Sequence, residues 1–257
     1  MWGEKVEGII AVVNQKGGVG KTTTAVNLSA CLAALGSKVL LMDLDPQGNA
    51  TSGVGLDKEK VKICVYDALI NEFPVEKVVY NTKQKNLDCI PATIQLAGAE
   101  IELVPTISRE VRLRRMVKPL LDKYKHIIID CPPSLGLLTL NALTAADMVL
   151  VPIQCEYYAL EGLGQLVKTI DLVKQHLNSA LKIGGVLLTM YDQRTNLSAQ
   201  VAAEVRKYFG QLVFNAVIPR NVRLSEAPSH GKPVIEYDPR SKGAEMYKKM
   251  AKEVMQR

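Results

Sequence analysis

Residues 9–13 (IIAVV) are apolar end to end, and they run straight into NQKGGVGKTTT at residues 14–24. A run that is apolar without alternation suits a strand covered on both faces. Behind the glycines, Leu28, Cys31, Leu32 and Leu35 recur at the spacing of one helix face, and Gly36 is placed to end that helix. Strand, glycine loop and helix together form a phosphate cradle. The loop's backbone N–H groups can wrap an anion, and the helix N-terminus adds partial positive charge. Only a layered α/β fold supplies that junction with a sheet to stand on.

More runs of the same kind follow: VLLMD at 39–43, IIID at 127–130, MVLVP at 148–152, GVLLT at 185–189 and VFNAVIP at 213–219. Helical periodicity lies between them, notably from Glu161 to Leu177 and from Leu197 to Phe209, where Leu197, Val201, Val205 and Tyr208 share a face. This alternation predicts a doubly wound, mostly parallel sheet with helices on both faces and ligands outside the carboxyl ends of the strands. Residues 57–85 are polar and irregular, an expected excursion over the sheet edge. With no internal repeat and no linker, residues 1–257 read as a single domain.

Aromatic residues make up only 5% of the chain, so the core must be aliphatic. Five cysteines (Cys31, Cys64, Cys89, Cys131, Cys155) are scattered without a CxxC pair, which argues for a reducing compartment and for small core residues rather than a disulfide framework. The opening MWGEKVEG has no apolar leader character, and no stretch approaches the ~20 apolar residues of a membrane span. A cytoplasmic protein is expected. The net charge of +6 fits either an ordinary solvated surface or a patch for a polyanion.

Within the loop, Lys21 is placed to reach β- and γ-phosphates and Thr22 to ligate Mg²⁺. The strict GxxxxGK[ST] pattern nevertheless fails, because Gln15 stands where its first glycine belongs. What remains is KGGVGKT, with a second lysine, Lys16, inside the loop. Three aspartates close predicted strands: Asp43, Asp45 just beyond it, and Asp130. Strand ends beside a phosphate loop are where Mg²⁺ and water need anions, although turn and cap roles also suit aspartate.

KGGVGKTTT, DLDPQGNATSG (43–53), IIIDCPPSLG (127–136) and IPRNVRLSEAPSHGKPV (218–234) together resemble the chromosomal ParA/Soj family of partition ATPases, P-loop NTPases with a deviant Walker A loop. The resemblance covers essentially the whole chain. It implies ATP and Mg²⁺ as cofactors, with ATP held by Lys16, Gly17, Gly18, Val19, Gly20, Lys21, Thr22 and Thr23, and by Pro219 and Asn221 against the adenine and ribose. Thr22 would ligate Mg²⁺ directly, with Asp130 and Asp43 acting through water or, for Asp43, through support of the loop.

The resemblance also accounts for the second lysine. Lys16 would cross into the other subunit's site when two ATP-bound monomers stack. There it would act like an arginine finger, a contribution of about 10³- to 10⁵-fold in other NTPases. Gly17 fits this, since a side chain there would stand between subunits. Asp45 would position the attacking water.

The segment from Pro219 to Arg257 carries nine Lys or Arg against five acids, most of the chain's excess charge. By resemblance the ATP dimer binds double-stranded DNA without sequence preference, and Arg194 and Arg223 match the arginines that do so; Lys242, Lys248 and Lys252 suit a solvated helix face. A ParB-like centromere-binding protein is the implied stimulator of hydrolysis, nucleoid association follows, and a role in replication initiation is left open.

Three rivals share the loop. A membrane-bound MinD-like switch would need bulky anchors in the last helix, where Tyr247, Met250, Ala251 and Val254 look more like a core stripe. A reductase resembling the nitrogenase iron protein would need cluster-bridging cysteines. A non-enzymatic scaffold would not need Asp45.

Overall fold

Alternate residues of the first strand serve different cores. Ile9, Ala11 and Val13 join one apolar cluster, and Ile10 and Val12 join another on the opposite side of the sheet. The computed structural model describes residues 8–157 and 163–257. The opening segment read for leader character, and Glu161 at the expected start of a helix, lie outside them. Among the described residues the strands are β1 (Gly8–Val12), β2 (Val39–Asp43), β3 (Tyr80–Asn81), β4 (Leu87–Ile90), β5 (His126–Asp130), β6 (Met148–Gln154) and β7 (Lys182–Thr189). They form one sheet in the order β3-β4-β2-β5-β1-β6-β7, parallel throughout except for the β3–β4 pair. The doubly wound expectation holds.

Helices Leu137–Ala145, Leu163–His176 and Asn196–Phe209 bury their apolar residues in the first cluster. Helix Lys21–Ala34 and the C-terminal helix Lys242–Gln256 fill the second. The helix behind the glycine loop is more enclosed than one apolar stripe implies: every residue from Thr24 to Ala33 is buried. Sheet on one side and C-terminal helix on the other leave it no solvent face. The Tyr247 hydroxyl and Thr24 Oγ1 lie 3.2 Å apart, and Asn27 Oδ1 accepts Val234 N–H at 2.7 Å. The Tyr247, Met250, Ala251 and Val254 stripe is therefore core. The helix closes at Gly36 in a Schellman turn, with Gly36 N–H bonded to Ala33 O and Ser37 N–H to Leu32 O. Leu35, expected inside, is 42% exposed because it is already the C-cap.

Three other expectations change. The face of helix Asn196–Phe209 that meets the core is Ser198, Val201, Ala202, Val205 and Phe209, leaving Leu197 and Tyr208 exposed. Residues 213–219 do not form a ladder strand. Phe214 N–H reaches Val186 O and Ile218 N–H reaches Leu188 O, but between them Asn215 and Ala216 donate to the Glu253 carboxylate, each at 2.8 Å. A side chain of the last helix thus replaces the strand partner in the middle of the run. The 57–85 excursion reaches the sheet edge as expected, but it contains helix Val65–Leu69 and strand β3. All five cysteines are buried and unpaired.

Candidate nucleotide site

β1, β2 and β5 end level: Val12 and Asp43 both pair in register with Asp130. This register sets Asp43 and Asp130 side by side at the carboxyl edge of the sheet, with the glycine loop leaving the strand next door. The loop is tied down by neighbours. Asn14 Nδ2 donates to Pro152 O at 2.8 Å, while Asn14 Oδ1 accepts Lys16 N–H at 3.0 Å. On the far side, Thr189 Oγ1 donates to Val19 O at 2.9 Å. Gly18 and Gly20 adopt φ of +74° and +87°, a region that side chains disfavour. Gly17 is different. Its φ is not positive, and a Cβ placed on it would meet nothing within 4 Å. Nothing inside this chain demands glycine there.

Lys21 is 6% exposed, and its ammonium donates to Lys16 O at 3.0 Å. Burial pulls its pKa down, while Asp130, Cys131 and Asp45 push it back up. Lys16, Thr22 and Thr23 are half-buried, and Gly17 and Gly18 lie exposed at the loop's crest.

The three aspartates differ in their partners. Asp43 Oδ2 accepts both Thr51 N–H (2.8 Å) and Thr51 Oγ1–H (2.7 Å), and its Oδ1 accepts Asp45 N–H at 3.2 Å. Its pKa rises to about 6 because desolvation outweighs those bonds. Of the two roles expected for Asp43, holding the loop is the one these bonds serve. Asp45, 8% exposed, accepts Gln47 N–H at 2.9 Å. Asp130 is fully buried, and neither of its oxygens has a hydrogen-bond partner. Desolvation first, then the Asp43 charge, push its pKa well up; the nearby Thr22 hydroxyl and Lys21 offset only part. A carboxylate left without partners in a dry site is costly, and beside Thr22 and a phosphate loop it suits a cation that keeps most of its own water. The residues fit Mg²⁺.

On the other flank, a cleft of about 590 Å³ is lined by Gly20, Thr23, Thr189, Pro219 and Asn221 among others. The structure thereby brings the PRN turn to the glycine loop across nearly two hundred residues of chain. Asn221 also caps helix Val222–Glu226 by accepting Arg223 N–H at 2.9 Å. Arg194 and Arg223 lie beyond the end of β7, both exposed and both ion-paired within the chain.

An AAA domain family model (AAA_31) matches residues 7–183. The chain is 67% identical over 246 residues to the sporulation initiation inhibitor protein Soj of Bacillus subtilis (strain 168), covering 96% of this chain and 97% of that protein. It is 57% identical over 249 residues to the chromosome partitioning protein ParA of Myxococcus xanthus (strain DK1622), covering 97% and 88%. The chain belongs to the ParA/Soj family of chromosome-partitioning ATPases. Among solved structures, cobyrinic acid a,c-diamide synthase from Mycobacterium smegmatis with bound ADP and magnesium superposes with a TM-score of 0.83 at 40% identity, covering 95% of this chain and 92% of that one. The septum site-determining protein MinD from Pyrococcus horikoshii OT3, complexed with Mg-ADP, gives 0.79 at 29% identity, covering 96% and 95%.

In this ParA/Soj chain, sequence reasoning passed over three residues that hold the site together: Asn14, Thr51 and Thr189. All three are buried polar side chains; Asn14 and Thr189 stand at or just past a strand end, whereas Thr51 lies in helix Asn49–Gly53 and carried no such signal. Cys131, raised by the iron-protein rival, is fully buried, and burial pushes its thiol well up. A thiol sealed inside one ParA/Soj subunit cannot reach a cluster shared with another.

Proposed function

We propose that residues 1–257 form one ATPase domain that binds ATP with Mg²⁺, pairs face to face with a second copy, and as that dimer holds duplex DNA until hydrolysis releases it. The observation that carries this reading is the buried, unpartnered Asp130 carboxylate beside Thr22, under a loop that presents Lys21. Backbone N–H groups of residues 18–22 face the phosphates, and the Lys21 ammonium moves from Lys16 O to the β- and γ-oxygens. Mg²⁺, held by Thr22 and by Asp130 through water, would neutralise charge on the phosphates. Asp43 locks Thr51 and Asp45 N–H, so that the Asp45 carboxylate can turn from its Gln47 N–H bond to orient a water and take its proton. Pro219 and Asn221 close the cleft on the adenine side.

Lys16 and Gly17 support the pairing. The first is a cation already beside the loop crest, and the second is a glycine with open space where a side chain would stand, as an approaching surface would require. DNA contact through Arg194 and Arg223, stimulation by a ParB-like protein and a cytoplasmic, nucleoid-associated location complete the proposal. Size exclusion of the protein with Mg²⁺ and a non-hydrolysable ATP analogue tests it. The native chain elutes as a dimer, and Lys16→Ala binds the analogue but stays a monomer and loses turnover. A native protein that remains monomeric under these conditions refutes the reading.

A further inference from the structure

The surface beyond β7 carries a third arginine that sequence reasoning did not place there. Tyr191 N–H donates to Ile218 O at 3.0 Å, and Arg220 N–H donates back to Tyr191 O at 3.1 Å. These bonds lock the turn bearing Arg194 against the turn bearing Arg220 and Arg223. The three arginines therefore leave two turns that are tied together, with side chains 86%, 57% and 52% exposed, and Asp192 feels the charge of both Arg194 and Arg220.

None of the three is idle. Arg194 grips Asp192 with two parallel bonds, Nε to Oδ1 at 2.9 Å and an Nη to Oδ2 at 2.7 Å. Arg220 meets Glu156 at 2.7 Å. Arg223 meets Glu226 at 2.8 Å and Asp238 at 3.3 Å. Four carboxylates thus stand against three guanidiniums, so these arginines bring no excess positive charge of their own. We infer that Arg194, Arg220 and Arg223 form one phosphate-binding surface that the chain holds shut with its own carboxylates, so that duplex DNA gains the arginines only by displacing Asp192, Glu156, Glu226 and Asp238. This rests on the DNA-binding reading above.

The physics suits a switch. A guanidinium edge that serves a carboxylate cannot serve a phosphate at the same time, and the carboxylate cancels much of the charge that draws a phosphate to the remaining donors. Exposed ion pairs are individually weak, so the closure is shallow and yields when a dimer doubles the phosphate contacts on one surface. Carboxylates that stay behind must recover cations as DNA docks, which cancels part of the counterion release that drives binding. Neutralising them therefore raises affinity and steepens its salt dependence together. A purely structural role for these acids changes neither.

The test is fluorescence anisotropy with random-sequence duplex DNA from about 50 to about 200 mM KCl. The subject is the full-length triple variant Asp192→Asn, Glu156→Gln, Glu226→Gln, without nucleotide and with a non-hydrolysable ATP analogue. Asparagine at 192 can still accept Arg194 N–H, and glutamine at 226 can still accept the Tyr237 hydroxyl, so both turns are kept. Nucleotide-free binding is expected to tighten on the order of tenfold, and the log–log salt slope to steepen by about 1 to 2, with ATP turnover unchanged. At saturating nucleotide, Arg220→Ala lowers the slope by about 0.9. Affinity and slope equal to the native protein's overturn the closure, and an unchanged slope in Arg220→Ala removes that residue from the surface. A separate failure belongs to the parent reading: if Arg194→Ala with Arg223→Ala still binds DNA in the ATP form, the surface itself is wrong.

Discussion

Asp130→Asn should make the empty protein more stable while removing its response to Mg²⁺ and nucleotide. The carboxyl is fully buried, neither oxygen has a partner, and Asp43 stands beside it in register. Both groups have folded-state pKa values above the ordinary carboxylate range, Asp43 at about 6 and Asp130 well above its usual value. Each therefore keeps its proton in the fold at a pH where the unfolded chain has lost it. Stability is full below the unfolded pKa of about 3.9 and falls as pH rises towards the folded one, by up to about 1.4 kcal/mol per pH unit for each group. For Asp43 the decline ends near pH 6; for Asp130 it continues beyond.

Asparagine keeps the shape and cannot ionise, so the decline above pH 6 should flatten. Asparagine is itself a buried polar group without partners, so it recovers the cost of ionisation but not the roughly 1–3 kcal/mol of an unmet hydrogen bond. Recovering about 2 kcal/mol near pH 8 corresponds to roughly 4–8 °C in a chain of this size. Circular dichroism melts of both proteins in EDTA across pH 5.5 to 8.5, repeated with ADP and Mg²⁺, read the difference directly. The variant should melt higher in EDTA at pH 8 and lose most of the ligand-induced rise. A variant that melts below the native protein in EDTA at pH 8 would refute the reasoning, because the carboxylate would then be structural.

Three further outcomes follow from other contacts. Gly17→Val leaves the monomer's melting temperature within a degree or two, since its Cβ meets nothing, yet abolishes the ATP-analogue dimer on size exclusion; a dimer of native affinity would leave Gly17 unexplained. Asp45→Ala retains ATP binding and dimerisation while phosphate release falls by at least about 100-fold, and joint loss of all three would mean that its turn with Gln47 is what matters. Glu253→Ala strips the acceptor from Asn215 and Ala216 N–H and costs about 2 kcal/mol in urea unfolding without changing the nucleotide KM; a neutral result would mean that water serves those donors equally well.

The parallel strands were legible because each is apolar without interruption, and the one that was missed shows why. β4 is LDCI, and Asp88 breaks the run. Its carboxylate stays inside because Lys38 Nζ (2.6 Å), Tyr124 OH (2.8 Å) and Asn81 Nδ2 (2.9 Å) come from three other segments to meet it. No local pattern foretells that. Run 213–219 fails in the opposite sense. Its residues read as a strand, but Glu253 on the last helix outcompetes a neighbouring strand for two of its donors. Helix faces were displaced by a residue or so for a related reason: periodicity gives the stripe, while the layer above and below decides how wide the buried arc is.

The site was legible in a more particular way. Its phosphate loop is contiguous in sequence, so residue types and their order were enough to name Lys21 and Thr22. The aspartates come from separate strands, and what separates their roles is register rather than identity. Because Asp43 and Asp130 end their strands at the same level, two carboxylates share one dry pocket, and a single set of neighbours cannot satisfy both. Thr51 and the Asp45 amide bond Asp43, while neither Asp130 oxygen is bonded and only the Thr22 hydroxyl and Lys21 stand near enough to ease its charge. The fold thus ties one aspartate to the Asp45–Thr51 turn and leaves the other buried without a bonded oxygen, the arrangement expected of a cation ligand. At the loop crest the Lys16 backbone is held by Asn14 and Lys21, while Gly17 has open space where a side chain would stand.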